Sequence, residues 1–325
     1  MILAGDIGGT NARLALFDDA GKKLLRQRTY ESRAHDALDP LVADFCDGER
    51  PRAAVLGVAG PVVDNRCRAT NLPWVIDGRV IGRAIGVPGL VLVNDLVAIA
   101  LGCLAAPRNK LVPIHGGVPR RKGATMAVIA AGTGLGEALL VWDGERYLPQ
   151  ATEGSHVDFA PRSAIEYRLL ERLQRVHGHV SYERVASASS LAMLHAFFRD
   201  DVGVRESAAE RTAMAAAADP NAEVVRLARL HPRGPSARAL ALFLDVYGAE
   251  AGNLVLKSLA TGGLFVCGKL SGILAPELPK SPFLKSFFDK GRMRPLLERT
   301  PVAVLADSDA GLHGSAYHAR ALTNR

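Results

Sequence analysis

The stretch Gly5-Asp6-Ile7-Gly8-Gly9-Thr10-Asn11-Ala12-Arg13 lies between two short apolar runs, Ile2-Leu3-Ala4 and Leu14-Ala15-Leu16-Phe17. Asp18-Asp19-Ala20-Gly21 reads as a turn beyond the second run. The glycines therefore close a strand–turn–strand, not a strand–turn–helix. A dinucleotide fingerprint or a P-loop would open a helix, and a P-loop would carry Gly-Lys-Ser/Thr; neither pattern fits here. A hairpin of this kind can still hold phosphate, because glycines let backbone N–H groups converge on an anion. Thr10 and Asn11 add side-chain donors, and Asp6 is placed to hold a magnesium ion through water. The plainer alternative is an ordinary Gly-Gly hairpin with a solvent-facing Asp. Asp, Thr, Asn and Arg packed around one turn argue against it.

The same grammar returns later. Ala127-Val128-Ile129-Ala130-Ala131 reads as a buried strand, Gly132-Thr133-Gly134-Leu135-Gly136 as a turn, and Ala138-Leu139-Leu140-Val141-Trp142 as a second strand. Gly132 lies 124 residues beyond Gly8, about one domain length. Two phosphate-type hairpins at that spacing suggest two related α/β domains facing one nucleotide.

A chain of 325 residues holds about two domains with sizeable cores. With 48% hydrophobic and 22% charged residues it reads as a soluble globular protein. The net charge of +7 is spread out, and its densest cluster is Arg120-Arg121-Lys122. No basic stripe is interleaved with aromatics, so the charge suits anionic small molecules and not nucleic acid. Cys46, Cys67, Cys103 and Cys267 are scattered without a Cys-x-x-Cys, which favours reduced thiols and a cytoplasmic location. The N-terminus has no basic n-region, so no signal peptide is expected. The apolar segment 90–106 carries Asn94-Asp95 at its middle, which speaks against a membrane span.

Strands are expected at 22–30, 53–59, 90–93, 262–268 and 302–306. Helices are expected at 36–46 (interrupted by Pro40), 77–85 with Asp77 as N-cap, 96–106, 164–176, 190–198, 205–230 with a break at Asp219-Pro220, 236–258 and 310–321. Residues 62–71 read as an extended excursion. Alternating strands and helices predict a mixed α/β sheet. The domains are expected as 1–106 plus 303–325, a smaller unit with the first phosphate loop, and 107–302, a larger one with the second.

Asp95 is the strongest catalytic candidate. It lies where a buried strand gives way to a helix, the place at which α/β proteins put reactive groups. A carboxylate there can accept a proton from a substrate hydroxyl; alternatively Asp95 only N-caps the helix. Glu153, His156 and Glu183 form a second cluster, with hydrogen-bonding capacity suited to vicinal hydroxyls. Two carboxylates and an imidazole can also ligate a metal, but the spacing matches no standard zinc motif. His156 and Asp158 could also simply tie down their loop.

These residues carry a resemblance. Gly5-Asp6-Ile7-Gly8-Gly9-Thr10-Asn11-Ala12-Arg13-Leu14-Ala15-Leu16, Leu92-Val93-Asn94-Asp95-Leu96, Gly132-Thr133-Gly134-Leu135-Gly136 and Glu153-Gly154-Ser155-His156-Val157-Asp158-Phe159-Ala160-Pro161 are similar to the motifs of bacterial ATP-dependent glucokinases. Val180-Ser181-Tyr182-Glu183-Arg184-Val185 and residues 307–316 extend the match over nearly the whole chain. The resemblance implies the two-domain, actin-like (ribonuclease-H-like) α/β fold with its active site in the interdomain cleft. It implies ATP, Mg2+ and glucose, with a homodimer as the expected assembly. Carried over position by position, Asp95 is the catalytic base toward the sugar 6-hydroxyl. Asn94, Glu153, His156, Glu183 and Asn71 bind the sugar with Asp95. Gly5, Asp6, Ile7, Gly8, Gly9, Thr10, Asn11, Gly132, Thr133, Gly134 and Gly268 bind the nucleotide.

Two positions depart from the family. Gly268-Lys269-Leu270 stands where Gly-Gly-Ile is usual, so Lys269 either crowds the base or contacts a phosphate. Ser155 stands beside the sugar where Gly is common. Alternative functions are a related kinase preferring another hexose, such as mannose or glucosamine, and a sugar-responsive transcription regulator. The regulator would need a helix-turn-helix, for which a phosphate loop starting at residue 5 leaves no room ahead of it. A non-catalytic scaffold would be expected to lose Asp95 or the sugar cluster, and both are intact.

Overall fold

The computed structural model describes residues 1–70 and 72–323, which divide into two compact units. The first comprises Met1–Leu111, Pro149–Ala151 and the chain from Asp307 onward; the second comprises Val112–Leu148 and Thr152–Ala306.

The first unit begins with β1 (Ile2–Ile7), β2 (Asn11–Phe17) and β3 (Leu24–Glu31), an antiparallel meander in which Ile7 faces Ala12 and Asp6 faces Arg13. The apolar runs on either side of the glycines are thus one hairpin, as the sequence predicts. α1 (Asp39–Cys46) follows, and Pro40 opens this helix instead of interrupting it. Its fixed φ suits the first turn, where the missing N–H costs nothing. β4 (Ala53–Val58) then pairs parallel with β1 and is buried along its whole length. The extended excursion expected at 62–71 contains β5 (Val62–Val63) and β6 (Arg66–Arg68), which with β7 (Val75–Asp77) form a small antiparallel sheet of their own. Asp77 caps α2 (Gly78–Ala84) by accepting the Arg79 N–H. β8 (Val91–Asn94) pairs parallel with β4 and runs directly into α3 (Asp95–Ala105). The five-stranded order is β3-β2-β1-β4-β8.

The second unit repeats that order. After β9 (Leu111–His115), β10 (Met126–Ala131) and β11 (Leu135–Trp142) form the second glycine hairpin, with Ala131 facing Leu135, and β12 (Tyr147–Thr152) adds the next strand. The helices α4 (Ala164–His177), α5 (Tyr182–Ala186), α6 (Leu191–Ala196), α7 (Ala208–Ala216) and α8 (Pro220–Leu230) lead into the 24-residue α9 (Pro235–Ser258). β13 (Gly263–Cys267) pairs parallel with β10. The short helices α10 (Lys269–Leu274), α11 (Pro282–Phe288) and α12 (Arg294–Arg299) precede β14 (Val302–Leu305), which pairs parallel with β13. The sheet reads β12-β11-β10-β13-β14-β9, the order of the first sheet with one strand added at the far edge. The internal repeat suggested by the two glycine turns is therefore a repeat of whole sheets. β9 and β12 escape a pattern-based reading because each contains a proline, Pro113 and Pro149. Both are edge strands, where a missing N–H is tolerated.

α9 is long and apolar enough to span a bilayer, but most of it is buried, packed against α5, α6, α8 and α11. Phe243, Tyr247, Phe283 and Phe287 are at most 1% exposed, and burying each contributes roughly 1.5–3 kcal/mol. The last helix, α13 (Ala310–Thr323), returns to the first unit against α3, β1 and β4. A Cβ on Gly314 would collide with the Ala98 carbonyl of α3, so glycine permits this close crossing. Because β14 belongs to the second sheet, the chain re-enters the first unit at Asp307, later than the expected residue 303. Similarly the first crossing falls after Leu111, not Ala106. The four cysteines are buried and none is in a disulfide.

Candidate functional site

The first glycine turn is built by its own backbone. Gly8 N–H donates to Asn11 O at 2.9 Å, Ser32 Oγ donates to Gly8 O at 2.8 Å, and Ser32 N–H donates to Thr10 O at 2.9 Å. Gly5 and Ile7 lie in β1 below the turn, with Ser315 Oγ donating to Gly5 O at 2.9 Å; Gly9 lies at the tip beside Thr10. Asp6 points to Arg13, whose Nη2 is 2.9 Å from its Oδ2, and Arg13 Nη1 reaches Asp309 Oδ1 at 3.0 Å and the Ser308 carbonyl at 2.8 Å. Burial pushes the Asp6 carboxyl above its ordinary range, Arg13 pulls it back, and Asp309 adds to the rise. Arg13 thus ties the Asp6 carboxylate to Asp309, a contact no local motif announces. Its pairing with Asp6 follows from the hairpin register, in which Asp6 and Arg13 are a cross-strand pair of opposite charge.

Among the described residues no group of three or more His, Cys, Asp or Glu is placed to hold a metal ion. A magnesium ion would therefore rely on Asp6 and Asp309 only in part. The donor set fits: both are hard oxygen ligands, and the glycine at 311 leaves room beside the Asp6 carboxylate that a Cβ about 3.0 Å away would crowd. Since Arg13 already engages Oδ2 of Asp6, contact through water fits better than direct coordination.

The end of β8 corrects one expectation and places another. The N-cap of α3 is Asn94, whose Oδ1 accepts the Leu96 N–H at 2.9 Å; its Nδ2 donates to the Gly60 carbonyl at 3.1 Å. Asp95 is the first helical residue, its Oδ1 also 2.9 Å from that N–H. The capping role considered for Asp95 is filled by its neighbour. The Asn94 amide has a second N–H for a ligand. Asp95 is close enough to Cys67 that, after burial, its charge raises the Cys67 thiol.

In the second unit the three candidate residues converge. His156 Nε2 lies 3.7 Å from Glu153 Oε2, and its Nδ1 lies 3.9 Å from Glu183 Oε1. The turn carrying Glu153 and His156 is closed by His156 N–H to Glu153 O at 3.0 Å and by Gly154 N–H to Thr152 Oγ1 at 3.0 Å. Ser155 is buried beneath it. Farther along the loop Asp158 pairs with His179 Nε2 at 3.0 Å. Glu183, at the start of α5, accepts the Leu135 N–H at 3.1 Å, which joins this cluster to the second glycine turn.

That turn, Gly132-Thr133-Gly134, is closed by Gly132 N–H to Gly134 O at 2.8 Å. It is held by Ala188 N–H on Gly132 O at 2.9 Å and Ser189 Oγ on Thr133 O at 2.6 Å. It forms one wall of a cavity of about 890 Å³ whose other lining includes Ser189, Asn221, Arg226 and Lys269. Such a volume suits a nucleotide-sized ligand. Gly268, which follows β13, lies against Ala131, the residue before the turn, and Lys269 next to it lines the cavity. Arg226 is paired with Glu223 and Arg229 with Glu277, both at 2.5 Å; among the described residues Lys269 has no ion pair. Ser189, Asn221 and Arg226 carried no local motif that could have flagged them. Asn71 lies outside the described residues.

A family model described as Glucokinase matches residues 3–322. A glucokinase of Nostoc punctiforme is 36% identical over 338 aligned positions, covering 97% of this chain and 98% of the relative. A solved glucokinase from an Antarctic psychrotroph superposes with a TM-score of 0.82 at 29% identity, covering 98% of each chain. A ROK family glucokinase from Streptomyces griseus, solved in complex with glucose and AMPPNP, shares the fold with a TM-score of 0.68 at 20% identity, covering 98% of this chain and 99% of that one. With glycine hairpins at equivalent places in two sheets of the same order, and a family match from end to end, this chain belongs to the glucokinase family.

Proposed function

We propose that this chain transfers the γ-phosphoryl group of ATP to the 6-hydroxyl of D-glucose, giving glucose 6-phosphate, the entry step of glycolysis. The observation that carries this reading is the convergence of Glu153, His156 and Glu183, with Glu183 bonded to the strand that leaves the second glycine turn. Carboxylates and an imidazole at that spacing can accept and donate to vicinal hydroxyls together, a demand that a sugar makes and a simple alcohol does not.

Asp95 accepts the proton of the 6-hydroxyl, and Asn94 orients the sugar beside it. The backbone N–H groups of residues 5–11 and 132–134 cradle phosphates. Arg13 holds the Asp6 carboxylate in one orientation, so that its charge is in place before ATP arrives. Magnesium, when bound through Asp6, neutralises phosphate charge. The cavity beside Lys269 takes the adenosine. Catalysis of this kind is mainly positioning and electrostatic stabilisation, with the base secondary. The reading carries with it a cytoplasmic homodimer without nucleic-acid or membrane partners, for which sedimentation provides the check on assembly.

A coupled assay with ATP, magnesium and a panel of glucose, mannose, fructose and glucosamine tests the proposal. The highest kcat/KM is expected with glucose. Another hexose exceeding glucose by tenfold or more would replace the assigned acceptor, and no turnover with any hexose would overturn the reading.

A further inference from the structure

The turn that carries Glu153 and His156 rests on a buried carboxyl. Glu137, in the middle of β11, is 2% exposed. Its Oε2 occupies the space that a side chain on Gly154 would need, so the carboxyl presses on the backbone of that turn. Its Oε1 has no hydrogen-bond partner among the described residues. Behind it lies Glu250 of α9, fully buried and near enough that its charge adds to the effect of burial in raising the Glu137 carboxyl. Burial and a nearby like charge both disfavour the ionised form of a carboxyl. Glu250 has one counter-charge and one amide donor: Lys257 Nζ is 2.9 Å from its Oε1 and Asn253 Nδ2 is 2.8 Å from its Oε2. Burial and the neighbouring carboxyl both favour the protonated form of Glu137. Asn253 also donates to the hydroxyl of Tyr182 at 3.2 Å, the residue before Glu183, and accepts from Lys290 Nζ at 2.6 Å. Both elements that present the three converging residues stand on this one polar network.

We propose that Glu137 is a positioning residue for the hexose: protonated, it holds the Glu153–His156 turn where the sugar hydroxyls bind, and loss of its proton releases the turn and weakens sugar binding. This rests on reading Glu153, His156 and Glu183 as sugar ligands. Burial, and then the charge of Glu250, push Glu137 up to about 8, while Lys257 pulls it back. The proton is thus held at neutral pH and lost in mildly alkaline solution. The groups facing this carboxyl are Glu250, Lys257 and Tyr247 from α9 and, beyond Glu250, Tyr182 from α5 and Lys290 after α11. Burial raises both tyrosines above the relevant range. Lys290 is lowered to about 8, chiefly by burial, so it titrates in the same window and needs its own variant.

The test is glucose affinity by isothermal titration, with KM for glucose and for ATP, at pH 7 and pH 9, for the wild type, Glu137→Gln and Lys290→Met. Gln keeps a donor and an acceptor but cannot ionise. In the wild type the glucose Kd should rise about tenfold between the two pH values, the ratio expected if only the form protonated with a pKa near 8 binds, while KM for ATP stays nearly level. Glu137→Gln should abolish the rise and Lys290→Met should keep it. A flat wild-type profile, a rise that survives Glu137→Gln, or one that disappears in Lys290→Met would each overturn the proposal; should Glu137→Gln fail to fold, the other two proteins still decide. Absence of glucose binding at pH 7 would overturn the sugar-kinase reading and this proposal together, whereas binding that ignores pH would overturn this proposal alone.

Discussion

Asn94 Oδ1 accepts the backbone N–H of Leu96 at 2.9 Å, so the first turn of α3 is capped from the last residue of β8. The carboxylate one position later is not needed for the cap, although it shares the same N–H. The capping role that was one alternative for Asp95 thus belongs to the residue before it.

That assignment sets the first prediction. Asp95→Asn and Asp95→Ala should both keep glucose binding and lose turnover by about 10²–10⁴-fold, the usual contribution of a positioned base. Neither should lose the cap. Asn94→Ala should lose it, at a cost of about 0.5–2 kcal/mol visible in thermal melts. More than a tenth of wild-type turnover in Asp95→Asn, under saturating ATP and glucose, would remove Asp95 from the catalytic role.

The second prediction separates two glycines of one turn. A role in holding phosphate would by itself make Gly134→Val weaken ATP binding. In the structure, a Cβ on Gly134 would overlap the Glu183 carboxylate that accepts the Leu135 N–H. Losing a hydrogen bond to a charged group costs about 1.5–3 kcal/mol, so Gly134→Val should raise glucose KM roughly tenfold to hundredfold. A Cβ on Gly132 meets nothing within 4 Å, so Gly132→Val should weaken ATP and leave glucose binding intact. Calorimetric titration of each ligand against each variant distinguishes them; equal glucose affinity in the two variants would refute the coupling.

The third concerns Lys269. Its two cationic neighbours in the cavity wall are each neutralised by a glutamate, so its charge acts on whatever anion enters. Lys269→Met should raise KM for ATP about two- to fivefold at low ionic strength, with the difference shrinking as salt is added and glucose KM unmoved. An improved ATP affinity in Lys269→Met would mean instead that the lysine obstructs the base.

Some of this was legible in the chain itself. Gly8-Gly9 and Gly132-Thr133-Gly134 each stand between short apolar runs, and only a tight turn between paired strands accommodates that pattern. The Leu92-Val93-Asn94-Asp95 run ends a buried strand and starts a helix because apolar residues give way to capping residues at one step. Asp77 marked its helix for the same local reason, and the break expected at Asp219-Pro220 is where Asp219 caps α8. All of these signals involve residues within a few positions of one another.

Tertiary structure decided what local pattern cannot carry. Pro113 and Pro149 lie in strands because those strands are at sheet edges, a property of the neighbours and not of the segment. β14 joined the second sheet because its free partner was β13. Arg13 serves Asp6 by hairpin register, but reaches Asp309 only because α13 folds back on the first sheet. Glu137, the plainest example, is an unremarkable acid in an apolar strand until α9 brings Glu250 against it. From then on burial and the charge of Glu250, and not the residue's own chemistry, raise its carboxyl above the ordinary range.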